Sequence, residues 1–386
     1  MNIDKGELVR LTTELVGMPT ENPPADYREI APYVKALYES IGLETKIVAG
    51  DPNKPNVCAR LKGTGESDEV LLLSGHTDVV PAGAGWATEP YKATAIDGKL
   101  FGRGTVDMKG ALAAQFMAAK SIVDSGVKLK GDLYLFATVD DETAGKMGLR
   151  YMVEKGFSEL GWALPTFHIL GEPSNLDLYI AFKGRMWVKI TLEGKSAHGG
   201  NPSAGINAIE HMAALIASIT ALSRESHPLM GTDTINIGTI AGGEKVNIVP
   251  NACTITVDFR YVAPQTSGEI EAKLQAAIRQ TASNFPNIKV KEFDVFERRE
   301  PVEVRADNRY ISSLKEVTEK VLGRGVQYSG VLSAGDAYWT VSNDIPAVFF
   351  GPGDLGVAHT NQEFIPLEEL YASAEIFRDY IIKLLR

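Results

Sequence analysis

Four short apolar runs in this chain each end in an imidazole or an acid. Residues 70–73 lead to His76, 131–139 to Asp140, Asp141 and Glu142, 166–170 to Glu172, and 347–350, through a glycine-rich loop, to His359. Unbroken apolar runs of this length, bounded by glycine and polar residues, read as strands buried on both faces, as in parallel sheets covered by helices. In open α/β sheets, ligands collect where such strands end. The pattern therefore predicts an α/β domain that carries its polar chemistry along one sheet edge. After the first run, Asp107 stands in a turn flanked by Gly102, Gly104 and Gly110, ahead of a helix expected over 108–121. Asp78, two residues beyond His76, is placed to take the proton on the imidazole nitrogen that faces away from a metal, which fixes tautomer and ring orientation.

At 386 residues the chain is long for a single core, so two domains are expected. The grammar changes near residue 179. A strand or tight strand pair over 179–192 is followed by a helix over 204–223, strands over 234–240 and 253–261, a helix over 267–282 and a strand over 288–296. That order, βαββαβ, is ferredoxin-like. Residues 179–297 then form an insert in an α/β domain built from 1–178 and 298–386.

The formal net charge of -10 argues against nucleic acid or an anionic membrane as partner, since both call for a basic surface. No run of eighteen apolar residues occurs, and the first residues are polar rather than signal-like, so a cytoplasmic protein is expected. Cys58 and Cys253, the two cysteines, both fall in strand-like segments, which excludes a disulfide framework or a thiolate zinc site. Any metal must be held by imidazole and carboxylate. His76, His359, Asp107, Asp141, Glu142 and Glu172 suit a pair of divalent ions, zinc first and cobalt second. A carboxylate can bridge two such ions, which together lower the pKa of a shared water toward neutrality. His168, His211 and His227 read as structural.

Taken in order, the motifs Ser-Gly-His76-Thr-Asp78, Gly-Arg-Gly-Thr-Val-Asp107-Met-Lys-Gly, Asp-Asp141-Glu142-Thr, Gly-Glu172-Pro-Ser, Gly-Lys-Ser-Ala-His198-Gly-Gly and Ala-His359-Thr-Asn-Gln-Glu resemble those of the M20 metallopeptidase family over nearly the whole chain. The resemblance implies an α/β catalytic domain on a mixed sheet with an inserted ferredoxin-like dimerisation (lid) domain. It implies that Asp107 bridges two metals, with His76 and Glu172 completing one and Glu142 and His359 the other. Asp141 takes the place of the general base, although relatives usually carry Glu there. That shorter side chain leaves room for a weakly catalytic, metal-binding relative. The resemblance also implies a homodimer in which His198 enters the partner's site to polarise the scissile carbonyl, while Asn247 and Arg260 touch substrate. The implied reaction is deacylation of an N-acyl amino acid, with dipeptidase or carboxypeptidase action as the alternative. Glu172 sides with the acetylornithine and succinyl-diaminopimelate branch. Tyr338 stands where many relatives have Arg, so the substrate does not carry over.

Overall fold

In the computed structural model, which describes residues 1–143, 146–285, 287–332 and 334–386, the apolar runs become the middle of a mixed sheet. The order of its first six strands is Glu44–Val48, Asn56–Leu61, Asp132–Thr138, Val70–His76, Phe167–Leu170, Ala347–Phe349. Val70–His76 runs parallel to both of its neighbours, and Phe167–Leu170 parallel to Ala347–Phe349. The strands at the start of that order are antiparallel. Every residue of Val70–His76 is buried, as a strand with helices on both faces requires. On one face Leu72, Tyr134 and Phe136 pack with Phe157, Leu160 and Trp162. On the other lies the helix Gly110–Asp124, itself packed against Leu367–Leu385 and Lys5–Val16. Fully burying a leucine such as Leu71 or Leu73 contributes about 1.5–3 kcal/mol.

Two strand-end glycines set how close that helix comes. A Cβ on Gly75 would lie 2.4 Å from Met108 Cε, and one on Gly171 would lie 2.8 Å from Ala111 Cβ. Their bare backbones let the segment that follows Asp107 press onto the ends of the strands. One expectation needs adjusting here. His76 does not lie past its strand but is its last residue, opposite Thr138, because the ladder continues through Ser74 and Gly75. The helix expected from Met108 starts at Gly110, after an irregular turn, Thr105–Lys109, in which Asp107 and Met108 have non-helical backbones.

The chain forms two compact units, this one of residues 1–180, 304–329 and 339–386, and a second of residues 181–303 and 330–338. The second holds an antiparallel sheet in the order Thr234–Gly242, Ala252–Tyr261, Gly184–Glu193, Lys289–Arg299. With the helices Ala208–Thr220 and Ser267–Asn284, the chain order is βαββαβ, as the periodicity predicts. Ala252–Tyr261 alternates buried and half-buried residues along its whole length. Its inward set, Cys253, Ile255, Val257 and Phe259, packs with Ile190, Leu215 and Leu274. The stretch over 179–192 is two strands, Leu178–Phe182 and Gly184–Glu193. Residues 330–338, which the sequence reading leaves with the first domain, cluster with the second.

Candidate metal centre

The C-terminal ends of the four parallel strands deliver the polar groups of the first unit to one place. His76 ends its strand, Asp140–Glu142 follow Asp132–Thr138, Glu172 follows Phe167–Leu170, and His359 lies in the loop beyond Ala347–Phe349. His76 Nδ1 donates to the Asp78 carbonyl at 2.8 Å, which turns Nε2 toward Asp107 Oδ1, 2.9 Å away. The other Asp107 oxygen lies 3.1 Å from His359 Nε2, and that nitrogen is also 3.2 Å from Glu142 Oε2. Glu172 Oε1 is 3.7 Å from His76 Nε2. Asp141 joins His76 and Glu172, each bringing one ligand atom within 4.8 Å of the others. Asp107 thus presents one oxygen to each imidazole.

Charge accounts for what this cluster needs. Burial alone would pull the His76 imidazole down, but Asp107, Asp141 and Glu172 hold it well above its ordinary value. Asp107 and Glu142 lift His359 to about 10. Burial and the Asp107 charge push Glu142 up, and its Oε1 is buried without a hydrogen-bond partner among the described residues. Carboxylate lone pairs converging in a desolvated place are stable only around positive charge. Two imidazole nitrogens and four carboxylates, with no thiolate, fit divalent ions of the zinc class. His76, Asp107, Glu142, Asp141 and Glu172 could hold them, with His359 closing the open side.

The role read for Asp78 changes in detail. Its carbonyl, not its carboxylate, orients His76, and Oδ1 lies 3.7 Å from the ring. The buried carboxylate instead accepts from the backbone N–H groups of Glu142 at 3.2 Å and Asp141 at 3.4 Å, and from Asn22 Nδ2 at 2.9 Å. Asp78 therefore holds the acidic turn. Asp140 and His359 both adopt left-handed backbones, a conformation that costs non-glycine residues energy and gathers at functional sites. Asp140 is held in place by Lys54 Nζ, 2.6 Å from Oδ1, and by the Met147 N–H.

Glu363 and Arg103 stand in the motifs around His359 and Asp107, but the sequence alone gives them no role. Glu363 is wholly buried, and its Oε1 accepts from the N–H groups of Gly104, Val106 and Asp107, while Oε2 pairs with Arg103. The available signal was spacing: Glu363 stands four residues after His359, and Arg103 four before Asp107.

The remaining site residues belong to the second unit. His198 is exposed in a loop whose Gly199 N–H donates to the Asn247 carbonyl at 2.8 Å, so His198 and Asn247 neighbour each other. Gly200 N–H donates to His198 Nδ1 at 3.0 Å, leaving the ring proton on Nε2. Arg260 is half-buried, and its Nε and Nη2 donate to the two oxygens of Asp258 at 2.7 and 3.0 Å. The bidentate grip expected for a substrate carboxylate is thus made within the chain.

Fold and donor set together define a metal-dependent hydrolase. The model of peptidase family M20/M25/M40 matches residues 72–383, and the chain belongs to that family. A probable succinyl-diaminopimelate desuccinylase of Staphylococcus epidermidis is 27% identical, with 98% of this chain and 97% of that protein covered. The acetylornithine deacetylase of Pectobacterium carotovorum is 32% identical over 88% of this chain and 86% of its own length. Among solved structures, the aminopeptidase PepT of Bacillus cereus superposes with a TM-score of 0.81 at 23% identity, covering 99% of both chains. No helix among the described residues is long and apolar enough to cross a membrane.

Proposed function

We propose that the chain is a two-metal amidohydrolase that removes the acyl group from an N-acyl amino acid, with zinc as the native metal and cobalt as a substitute. The observation that carries this reading is Asp107, whose two oxygens face two different imidazoles. His76 and Glu172 would complete one position with Asp107, and Glu142 and His359 the other. When bound, the ions polarise the amide carbonyl and acidify water. Asp141 accepts the proton of the attacking water and passes it to the leaving nitrogen, a transfer that needs hydrogen-bond reach of about 2.6–3.2 Å. The acyl amino acid as substrate is supported by the deacetylase and desuccinylase among the relatives.

His198, with its proton on Nε2, has the tautomer required to donate to an oxygen on which charge develops. We assign it to the site of a partner copy, in a homodimer formed through the second unit. Supporting this, Thr234–Gly242 is an open edge of its sheet, and Ile240 and Val246 are exposed nearby. An uncovered strand edge with apolar side chains invites pairing. Buried, unbridged Cys58 and Cys253 suit the cytoplasm.

The test is reconstitution of metal-free protein with Zn²⁺ or Co²⁺, assayed on N-acetyl and N-succinyl amino acids and on dipeptides. Metal-dependent release of the free amino acid from the acyl substrates is expected. Cleavage of dipeptides alone would move the reading to a peptidase, and no turnover on any substrate would end it. Mixing inactive His198→Ala and Asp141→Ala proteins should restore part of the activity; absence of rescue despite subunit exchange counts against the shared site.

A further inference from the structure

Glu363 has no place in the chemistry above, yet it is among the most enclosed acids of the first unit. Its Oε1 collects three main-chain donors from one turn: Gly104 N at 2.8 Å, Val106 N at 3.2 Å and Asp107 N at 3.3 Å. Successive N–H groups that converge in this way form a nest for an anion. Gly104 opens the nest with a φ of 85°, a conformation for which glycine is suited. Here the anion comes from the far end of the chain. Oε2 pairs with Arg103, itself buried and stacked 5.2 Å from the Trp86 ring.

The backbone on either side is fixed by the same contact. Phe364–Pro366 pairs antiparallel with Lys99–Phe101, and Gly102 N–H donates to the Glu363 carbonyl at 3.1 Å. Four residues upstream, His359 faces Asp107, and between them Asn361 Nδ2 donates to the Gly85 carbonyl at 3.1 Å. Residues 359–363 therefore reach the Asp107 turn twice, once through an imidazole at the carboxylate and once through a carboxylate at the main chain.

We propose that Glu363 is a positioning residue that sets the Asp107 carboxylate for both metal positions at once. This rests on the two-ion reading above. The turn is closed at its end by Lys109 N–H to the Gly104 carbonyl at 2.9 Å and Gly110 N–H to the Thr105 carbonyl, but the N–H groups of Val106 and Asp107 go to Glu363, so that grip decides where the Asp107 side chain starts. Without it the turn keeps its glycines but loses its anion, and the spacing of the two Asp107 oxygens from His76 and His359 is no longer imposed.

Two variants test this in the full-length protein. Glu363→Met combined with Arg103→Met replaces a buried ion pair by apolar side chains, which avoids an orphaned charge. Glu363→Asp keeps the charge and withdraws it by one methylene. Metal-free wild type and variants are titrated with Co²⁺, recording stoichiometry, affinity and the visible absorption of the bound ion, alongside thermal midpoints without metal. The expected result is two ions in wild type, a loss of about 10–100-fold in affinity at both positions in each variant, an altered cobalt spectrum, and recovery of turnover at saturating Co²⁺. Wild-type affinity and spectrum in both variants overturn the proposal while leaving the two-ion reading intact. Fewer than two ions in wild type defeats that reading itself. If the double variant does not fold, Glu363→Asp decides; if neither folds, Glu363 serves stability and the proposal fails.

Discussion

His76 and His359 face the same aspartate from opposite circumstances. His76 is 3% exposed, ends a central strand and is locked through Nδ1 by a carbonyl two residues away. The His359 side chain is 53% exposed, in a loop with a left-handed backbone at the histidine itself. One half of the centre is thus built into the sheet, and the other is brought to it by a loop. It follows that the two proposed metal positions should differ in strength and in their debt to the fold. The His76 position is pre-organised before any ion arrives, while the His359 position depends on how well residues 359–363 are held.

Substitutions on either side put this contrast to the test. Asp107→Asn should erase it, because both sides share that carboxylate; turnover is expected to fall by about 10⁴-fold, or about 5.5 kcal/mol in the barrier, with neither ion retained by elemental analysis. His76→Ala should cost the metal-free fold about 3–5 kcal/mol, since it leaves buried acids without their partner. His359→Ala removes a half-exposed imidazole from two buried acids and should cost less, about 1–3 kcal/mol, while weakening one metal position. Denaturant titration of both variants separates the two cases, and equal losses would remove the distinction. Asp78→Asn keeps the carbonyl that orients His76 but weakens the grip on the acidic turn; a loss of about 10–100-fold in metal affinity is expected with His76 still in place.

The smallest effect comes from a third histidine. His168 is as buried as His76, but its neighbours are the hydroxyls of Ser74 and Thr340 rather than acids. Burial then acts unopposed and lowers it from 6.5 to about 3. A base depressed in the folded state contributes stability that is complete above 6.5 and lost as pH falls toward 3. Between pH 7 and 5.5 the fold should lose about 1 kcal/mol from this group. His168→Gln should flatten that part of the stability profile, and an unchanged slope would mean the ring is charged inside.

What could be read from the residues follows the range of the forces involved. Apolar runs and period-two alternation report burial directly, so the parallel strands, the βαββαβ order and the strand-end acids were legible. The exact end of the strand at His76 was not, because a ladder buried on both faces carries no periodic mark of where pairing stops. Asp78 offers a carbonyl and a carboxylate at nearly the same reach, and composition does not choose between them. Glu363 meets Arg103 and three main-chain N–H groups across some 260 residues, and main-chain donors leave no pattern in side-chain chemistry, so its fixed offset from His359 was the one mark it left. Arg260 is the opposite case. Asp258 lies two residues away on the same strand, on the same face, so their pairing could have been anticipated from period two alone.

The most direct measurement is anomalous scattering from crystals grown with Zn²⁺ or Co²⁺. The account predicts two peaks, separated by about 3.5–4 Å, with Asp107 between them, one beside His76 and Glu172 and the other beside Glu142 and His359. A single peak that leaves His359 without an ion, or peaks elsewhere in the molecule, would contradict it.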